Sequence, residues 1–498
     1  MTRPATTPVE LGSTPALRAS HAWWLAAVVC TCRLLQGPAF PIYDDAFITY
    51  RYALNLALGR GMVFNPGADW EPVLGTTTPA YSALLAVPAW LGLSIPLASV
   101  ALNALADALC AFLIARLGAS RPVAVTVALL AFAALPAVNR VSAGGMEAPL
   151  FALLAVGAVT AVRSGRFALA GVAAGLACTV RPEGVLLLAV LAIFEFRSWG
   201  SLLRAAAPVA AIGLAALLVL GAYYGDPIPQ SVQAKASNHG LGWDVSRVLE
   251  VLQRGVVPSP EMWLGLPLAA IGLVLAFTNA STWRAVMAFG AAMLCAYALS
   301  GAKTWGWYFY VPLLAWCLAL GEGAEAALSV VCRGAALPRR WLTPVGIGLG
   351  FLAVTGSAVL GRVVPAPASD GVYSAMAQWW NEPQAAEAQP SICASDIGAV
   401  GWFSGARILD SEGLVWPAAR EHARQVDVVR AYRPDGVLVV VNRARMLPFL
   451  DDPISGDYEP VARFSTYGLT RDEVDLHPAR EALVDGWVPD YILFRRRN

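Results

Sequence analysis

Lysine is almost missing from this 498-residue chain: of its 35 basic residues only Lys235 and Lys303 are not arginine. Charge of either sign is scarce, at 14% of residues against 57% hydrophobic, and the mean hydropathy is +0.57. A soluble domain carries about a quarter charged residues, so this composition excludes one and describes an integral membrane protein. The formal net charge of +1 provides no field to collect nucleic acid or an acidic partner, and no nucleic-acid partner is expected. Eight cysteines are present, but no Cys-x-x-Cys pair. Seven of them, Cys30, Cys32, Cys110, Cys178, Cys295, Cys317 and Cys332, lie in or beside hydrophobic segments, which argues against a disulfide framework. Cys30 and Cys32 would point to different faces of one helix. No internal repeat, low-complexity segment or nucleotide-binding glycine fingerprint occurs.

Apolar runs approaching the roughly 20 residues of a spanning helix fall at 22–38, 79–95, 97–117, 122–138, 147–163, 166–180, 184–197, 205–223, 263–278, 285–301, 308–324 and 342–363. Residues 1–21 are polar and run into the first of these without an Ala-x-Ala exit, so an uncleaved first helix is expected rather than a signal peptide. Arginines occupy every second connection: Arg116 and Arg121, Arg163 and Arg166, Arg197 and Arg204, Arg284, then Arg333, Arg339 and Arg340. The positive-inside rule assigns those connections to the cytoplasm and the others to the outside. Twelve full crossings would return the C-terminal region to the cytoplasm, against that pattern. Eleven crossings are therefore preferred over twelve, with 79–95, which holds Pro79 and Pro88 and stops at Pro96, as the stretch that does not cross. From Pro365 the composition changes to 19 acidic against 13 basic residues, with a strand-like Val437–Val441 after the turn Arg433–Gly436. The expected fold class is a polytopic α-helical membrane protein of 11–12 transmembrane helices over residues 1–364, followed by a soluble extracytoplasmic α/β domain over 365–498.

The most informative stretch begins where the first helix leaves the bilayer. Asp44 and Asp45 are followed by apolar residues at Phe47, Tyr50, Leu54 and Leu58, one face of a helix, while Thr49, Arg51, Tyr52 and Asn55 point elsewhere. The spacing predicts a short helix lying along the interface, ended by Gly59 and Gly61, with a turn at Asn65-Pro66-Gly67. A paired Asp followed by Tyr50-Arg51-Tyr52-Ala53, Asn55-Leu56-Ala57, Gly59, Gly61 and Val63 to Gly67 resembles bacterial membrane glycosyltransferases of the GT-C fold. The nearest likeness is to the terminal arabinofuranosyltransferases of mycobacterial cell walls and their relatives. Residues Ser395 to Gly405, Ile408 to Asp410 and Gly413-Leu414 resemble the C-terminal domains of such enzymes. The resemblance implies a multi-pass enzyme of the bacterial inner membrane that takes a sugar from a polyprenyl-phosphate donor on the extracytoplasmic side, and it places a catalytic aspartate in the Asp44-Asp45 pair. From Val73 to Pro79 the chain departs from the Gly-Tyr-Thr pattern of the arabinosyl enzymes, so mannose or another hexose stays open.

Such transfer needs a base for the acceptor hydroxyl and positive groups for the departing phosphate. Asp44 is expected as the base, with Asp45 orienting it or capping the helix. Glu147, after Ser142-Ala143-Gly144-Gly145-Met146, opens a hydrophobic helix, as a substrate group or as a match to the helix dipole. Arg140 is its expected partner. Arg181, in Thr179-Val180-Arg181-Pro182-Glu183-Gly184, is expected either on the donor phosphate or bridged to Glu183. Lys235, in a loop resembling the family's Gly-Asp-x-x-Pro-Asn-x-x-x-Ala-Lys with Gln230 in place of Asn, is a phosphate candidate together with Lys303. Glu183, Gln230, Trp305 and Trp307 complete the expected substrate contacts, although the two tryptophans also suit an interfacial aromatic belt. His239 alone is weak evidence for a metal. A divalent cation held by Asp44, Asp45 and Glu147 is left open, should they meet.

The expected partners are the donor, an envelope glycan, lipid or protein acceptor, and membrane lipids. Two other classes fit a polytopic chain: a transporter or lipid-linked glycan flippase, and a non-catalytic envelope-assembly subunit. Transporters favour paired repeats and midplane charges, whereas here the carboxylates and lysines gather at one face.

Overall fold

The structure, a computed structural model, describes residues 17–36, 42–67, 71–233, 245–256, 260–300, 304–335, 380, 390–422, 424–440, 447–464 and 491–497. Its helices are α1 (Ala19–Gln36), α2 (Asp44–Ala57), α3 (Pro79–Trp90), α4 (Ile95–Leu117), α5 (Pro122–Ala134), α6 (Pro136–Ala143), α7 (Ala148–Arg163), α8 (Phe167–Val180), α9 (Gly184–Phe194), α10 (Trp199–Tyr224), α11 (Val245–Val256), α12 (Pro260–Thr278), α13 (Arg284–Ser300) and α14 (Tyr310–Ala335). The C-terminal part adds α15 (Gly398–Ser404) and α16 (Gln425–Tyr432) among strands β1 (Ser391–Ala394), β2 (Arg407–Asp410), β3 (Gly436–Val440), β4 (Tyr458–Phe464) and β5 (Tyr491–Arg496).

Proline decides where many of the bundle helices begin. Pro79, Pro96, Pro122, Pro136 and Pro149 all stand in a first turn, where the missing N–H would have had no partner in any case. The same residue cuts long apolar runs: Leu135-Pro136 bends α5 against α6 by 60°. As a result only Ile95–Leu117, Trp199–Tyr224 and Gly306–Val331 are long and apolar enough to cross a membrane alone, with the bent pair as a fourth, among the described residues. Six further apolar helices, including α1, α7, α8, α9 and α13, fall short of that length. Among the described residues the runs expected from hydropathy return as helices, among them 147–163 as α7, 166–180 as α8, 184–197 as α9 and 285–301 as α13, and only 122–138 is divided, by Pro136. The stretch 79–95 gives a 12-residue helix, about 18 Å long and too short to span. The run at 342–363 lies outside the described residues.

Charge sorts along the bundle as the sequence indicates. Arg163 pairs with Glu195 at 2.7 Å, Arg121 pairs with Glu322, and Arg284 donates to the Phe194 carbonyl at 3.0 Å. These contacts sit where α7 and α9 end and α5 and α13 begin. The other ends of α7, α8, α9 and α13 lead to Glu147, Arg181, Glu183 and Trp307. A buried network that the sequence reading did not single out ties several helices of the bundle together. Asp107 of α4 accepts Arg33 Nε at 2.7 Å, Ser142 Oγ at 2.8 Å and Tyr310 OH at 2.5 Å. Arg33 spends further donors on the carbonyls of Phe132 and Ala133, where α5 ends. A buried charge is tolerated only when so completely partnered.

The C-terminal sheet has the order β2-β1-β3-β5-β4. β1 runs parallel to β2 and β3, and β5 antiparallel to β3 and β4. α15 and α16 cover the β1–β2 and β2–β3 connections, which gives the expected α/β arrangement. β3 is buried along its whole length, as a central strand covered on both faces should be.

This domain changes the environment of α2. Periodicity predicts an interfacial helix with a wet polar face, yet Thr49, Arg51, Tyr52 and Asn55 are buried along with Phe47 and Tyr50. One side of α2 packs on α3 and the other on α15. Asn65 Nδ2 donates to the Ile408 carbonyl at 2.8 Å, and its Oδ1 accepts Ile408 N at 3.0 Å. The Asn-Pro-Gly stretch is therefore a pairing edge for β2 as well as a turn.

Candidate active site

A narrow cavity of about 50 Å³ opens between the bundle and the domain, lined by Asp45, Thr49, the loop Gly75–Thr78, Glu147, Arg181, Ser231, Trp307, Tyr308 and Leu414. Residues scattered over 370 positions of sequence thus share one wall, and local geometry explains how each arrives.

Asp45 comes from the first turn of α2, whose start is fixed by the Gly144-Gly145 turn. Tyr43 N donates to the Gly144 carbonyl at 3.0 Å, and Tyr50 OH meets Ser99 Oγ at 2.5 Å and the Gly145 carbonyl at 3.3 Å. A Cβ on Gly145, which has φ +79°, would lie 1.9 Å from Tyr50 OH, so only glycine permits this approach. That turn then delivers Met146 and Glu147. The Asn103 amide donates to the carbonyls of Ser142 and Met146 at 3.0 and 2.9 Å and holds the turn in place.

Glu147 and Arg181 form the polar floor. Arg181 Nη1 donates to Glu147 Oε1 at 2.9 Å, while Nε and Nη2 fork onto the Glu183 carboxylate at 3.3 and 2.8 Å. Tyr297 OH adds a bond to Glu183 at 2.7 Å, and the guanidinium lies 4.9 Å from the Tyr308 ring centre. The bridge to Glu183 anticipated from sequence is present, and Glu147 joins it; Glu147 takes Arg181, not Arg140, as its ion-pair partner. Three of the five guanidinium N–H groups are so used, which leaves two. Glu147 Oε2 and Ser231 Oγ, both buried, have no hydrogen-bond partner among the described residues, nor has the side-chain Nε2 of the adjacent Gln230. Buried polar atoms are rarely left so.

Asp44, expected as the base, is placed differently. Its Oδ1 accepts Ala399 N at 2.7 Å and its Oδ2 accepts Gly398 N at 3.1 Å, and it is absent from the cavity wall that Asp45 lines. The reading of Asp44 as the group meeting substrate is corrected on that ground: both its oxygens serve the start of α15. Burial foremost, with Asp396 and Asp45 close by, pushes its carboxyl up to about 8 despite the two N–H donors. Asp410 is similar within the domain. It accepts the amides of Glu412, Leu414 and Val415 at 2.9, 2.5 and 2.8 Å, and burial pushes it up to about 7. The loop it holds presents Leu414 to the cavity and seats Val415 against Gly75.

The remaining expected residues divide. Trp307 lines the cavity, stacked at 6.0 Å on Trp305, which is half-exposed and off the wall. Glu183 stands behind Arg181, and Gln230 next to Ser231, its N–H bound to the Leu74 carbonyl at 2.7 Å. Lys235, Lys303 and His239 lie outside the described residues. No three His, Cys, Asp or Glu side chains stand together as a metal-binding set among the described residues. Of the trio suggested for a cation, Asp45 and Glu147 share the cavity wall, while both oxygens of Asp44 are taken by the start of α15. Sequence reasoning passed over the hydroxyl row: Thr76 Oγ1 and Thr78 Oγ1 lie 3.0 Å apart, and Thr49 Oγ1 is 3.4 Å from Thr78 Oγ1. Its signal was the run of three threonines after Gly75.

Solved structures share this architecture. ArnT from Cupriavidus metallidurans in the apo state matches with a TM-score of 0.60 at 13% identity, over 95% of this chain and 98% of that one. The oligosaccharyltransferase of Archaeoglobus fulgidus in the apo form matches at 0.50 and 12% identity, over 90% of this chain and 74% of that one. Archaeal AglB from the same organism, in complex with an inhibitory peptide and a dolichol-phosphate, matches at 0.52 and 11% identity with the same coverage. The chain therefore has the GT-C fold of membrane glycosyltransferases with a small C-terminal sheet domain. Residues 366–485 match a family described as a domain of unknown function, DUF8728. No curated protein matches the sequence.

Proposed function

We propose that this protein is a multi-pass glycosyltransferase of the bacterial inner membrane that moves a sugar, with inversion, from a polyprenyl-phosphate donor to an envelope acceptor on the extracytoplasmic side. The carrying observation is the pair of buried oxygens without a hydrogen-bond partner among the described residues, Glu147 Oε2 and Ser231 Oγ, on one wall with Asp45 and Arg181. Such atoms suit a polyhydroxylated ligand that supplies the missing hydrogen bonds.

Asp45 takes the proton of the acceptor hydroxyl as that oxygen attacks the anomeric carbon on the face opposite the phosphate. The bond from that carbon to the phosphate oxygen breaks, and polyprenyl phosphate leaves with the electron pair. The two N–H groups that Arg181 keeps stabilise the departing anion, with Lys235 and Lys303 as further cationic partners. Glu147 and Ser231 orient sugar hydroxyls, and the Trp307 indole offers an apolar face to the ring. Glycan sites are commonly several hundred Å³ in volume, so a cavity of about 50 Å³ has to widen on donor entry. Leu414 makes the domain loop the natural moving wall.

The test is transfer in vitro from a panel of polyprenyl-phosphate sugars, arabinose and mannose included, by the full chain and by Asp45→Asn. Consumption of one donor by the parent alone is expected. Consumption of none, or equal turnover by the variant, overturns the proposal. Uptake of intact donor into proteoliposomes without transfer would identify a flippase instead.

A further inference from the structure

A second and larger cavity, of about 610 Å³, lies among Arg163, Phe194, Glu195, Arg197, Arg204 and Arg284. Its place in the fold follows from the helices that link it to the first. α7 runs from Glu147 to Arg163, α8 from Phe167 back to Arg181, and α9 from Glu183 to Glu195. Three consecutive helices of 11 to 16 residues thus separate the cavities by about 20 Å, and the second belongs to the arginine-bearing end of the bundle.

Among the described residues four arginines face a single carboxylate there, and that carboxylate is already taken: Glu195 pairs with Arg163 at 2.7 Å. Among the described residues Arg284 hydrogen-bonds only to a carbonyl, that of Phe194. The Nε atoms of Arg163 and Arg284 are buried without a hydrogen-bond partner among the described residues. Arg197 and Arg204 are exposed at the rim. Ser198, Gly200 and Ser201, at the start of α10, close one side. A Cβ on Gly200 would meet nothing within 4 Å, so this wall stands open. Beside the mouth, Ile193, Trp199 and Leu203 are 73, 80 and 65% exposed, an apolar rim with the tryptophan expected at headgroup depth.

We infer that this cavity binds the phosphate-bearing headgroup of an anionic phospholipid from the leaflet opposite the catalytic cavity. Arginines that outnumber the carboxylates among the described residues supply the charge, the volume admits a headgroup, and the apolar rim accepts the acyl chains. Basic pockets between membrane helices on the cytoplasmic side suit such headgroups. Free phosphate shares the anion chemistry but has no use for the rim.

The experiment is native mass spectrometry and thermal unfolding of the full chain in detergent with phosphatidylglycerol, phosphatidylcholine or inorganic phosphate added. Phosphatidylglycerol should be retained and should raise the Tm, phosphatidylcholine should do neither, and millimolar phosphate should not displace the lipid. Arg197→Gln with Arg204→Gln, two side chains outside the catalytic cavity, should weaken phosphatidylglycerol about 10- to 30-fold, at roughly 1 kcal/mol per surface arginine. Glu195→Gln, which frees Arg163, should tighten it, and this variant decides the matter if the double variant fails to fold. Equal retention of both lipids, unchanged binding in the variants, or full replacement of the lipid effect by inorganic phosphate would overturn the assignment.

Discussion

Asp44 and Arg51, seven residues apart on α2, grip opposite ends of one helix of the C-terminal domain. Asp44 takes the first amides of α15 at Gly398 and Ala399. Arg51 Nη1 and Nη2 donate to the carbonyls of Gly401 and Ala406 at 2.6 and 2.7 Å, where that helix ends. The carboxyl at the start accepts amides and the guanidinium at the end donates to carbonyls, the backbone groups that a helix leaves unpaired at its two ends. Arg51 gains no carboxylate, and burial holds it down at about 9; carbonyls and the Phe64 ring, 4.5 Å away, replace its water. The docked domain is what brings Leu414 to the cavity.

This grip depends on close backbone approach. A Cβ on Gly398 would lie 1.8 Å from the Asp44 carbonyl oxygen, and one on Gly401 2.5 Å from Arg51 Nη1. The first clash is with backbone, which cannot step aside. Gly398→Ala should destabilise the docked state by about 3 kcal/mol, read as a lower Tm and faster tryptic cleavage after Arg407, with the transmembrane bundle intact. An unchanged cleavage rate would show that the two parts are joined elsewhere.

Docking should also weaken as pH rises. Asp44 at about 8 and Asp410 at about 7 both stand above the unfolded carboxyl value near 4. The folded state then holds protons that the unfolded chain releases above pH 4. Stability is fullest below that value and declines through pH 7 to 8, by up to about 1.4 kcal/mol per pH unit for each group. Asp44→Asn should remove part of the slope. Thermal unfolding at pH 5, 6, 7 and 8 measures it, and parallel curves for parent and variant would refute the assignment.

How much of this was readable beforehand depends on where each partner sits in the chain. The arginine-bearing connections were legible because alternate loops return to the same end of a helical bundle. The likeness of residues 43–67 to GT-C enzymes agrees with the fold, and Asp45 and Thr49 of that stretch line the cavity. What spacing could not tell was which of two adjacent aspartates faces the cavity, since the amides that claim Asp44 lie some 350 residues away. Arg51 was likewise assigned to a polar face, although its carbonyl partners are equally distant. Among the described residues most apolar runs return as helices with nearly the same bounds, and only 122–138 is divided, at Leu135-Pro136.

Adjacent aspartates with unlike surroundings should fail differently. Asp45→Asn removes the proposed base and should lower kcat about 10² to 10⁴-fold at unchanged Tm. Asp44→Asn keeps a neutral side chain that can still accept one amide, and should change kcat far less while altering pH-dependent stability. Comparable losses in both variants would return the catalytic role to the pair as a unit.

Ser231 offers the sharpest separation of a ligand role from a structural one. Its hydroxyl is buried on the cavity wall without a partner among the described residues, and such an atom burdens the empty enzyme by about 1–3 kcal/mol. Deleting it with Ser231→Ala should therefore raise the Tm of the donor-free protein. If the hydroxyl bonds a sugar hydroxyl in the complex, the same change should raise donor KM about tenfold, the worth of one hydrogen bond of about 1.4 kcal/mol. The two effects run in opposite directions, which no packing role predicts: a side chain needed only for the fold would lower Tm and leave KM alone. Thermal unfolding without donor and initial rates across donor concentrations give both readings from one variant, and a fall in Tm with unchanged KM would remove Ser231 from the site.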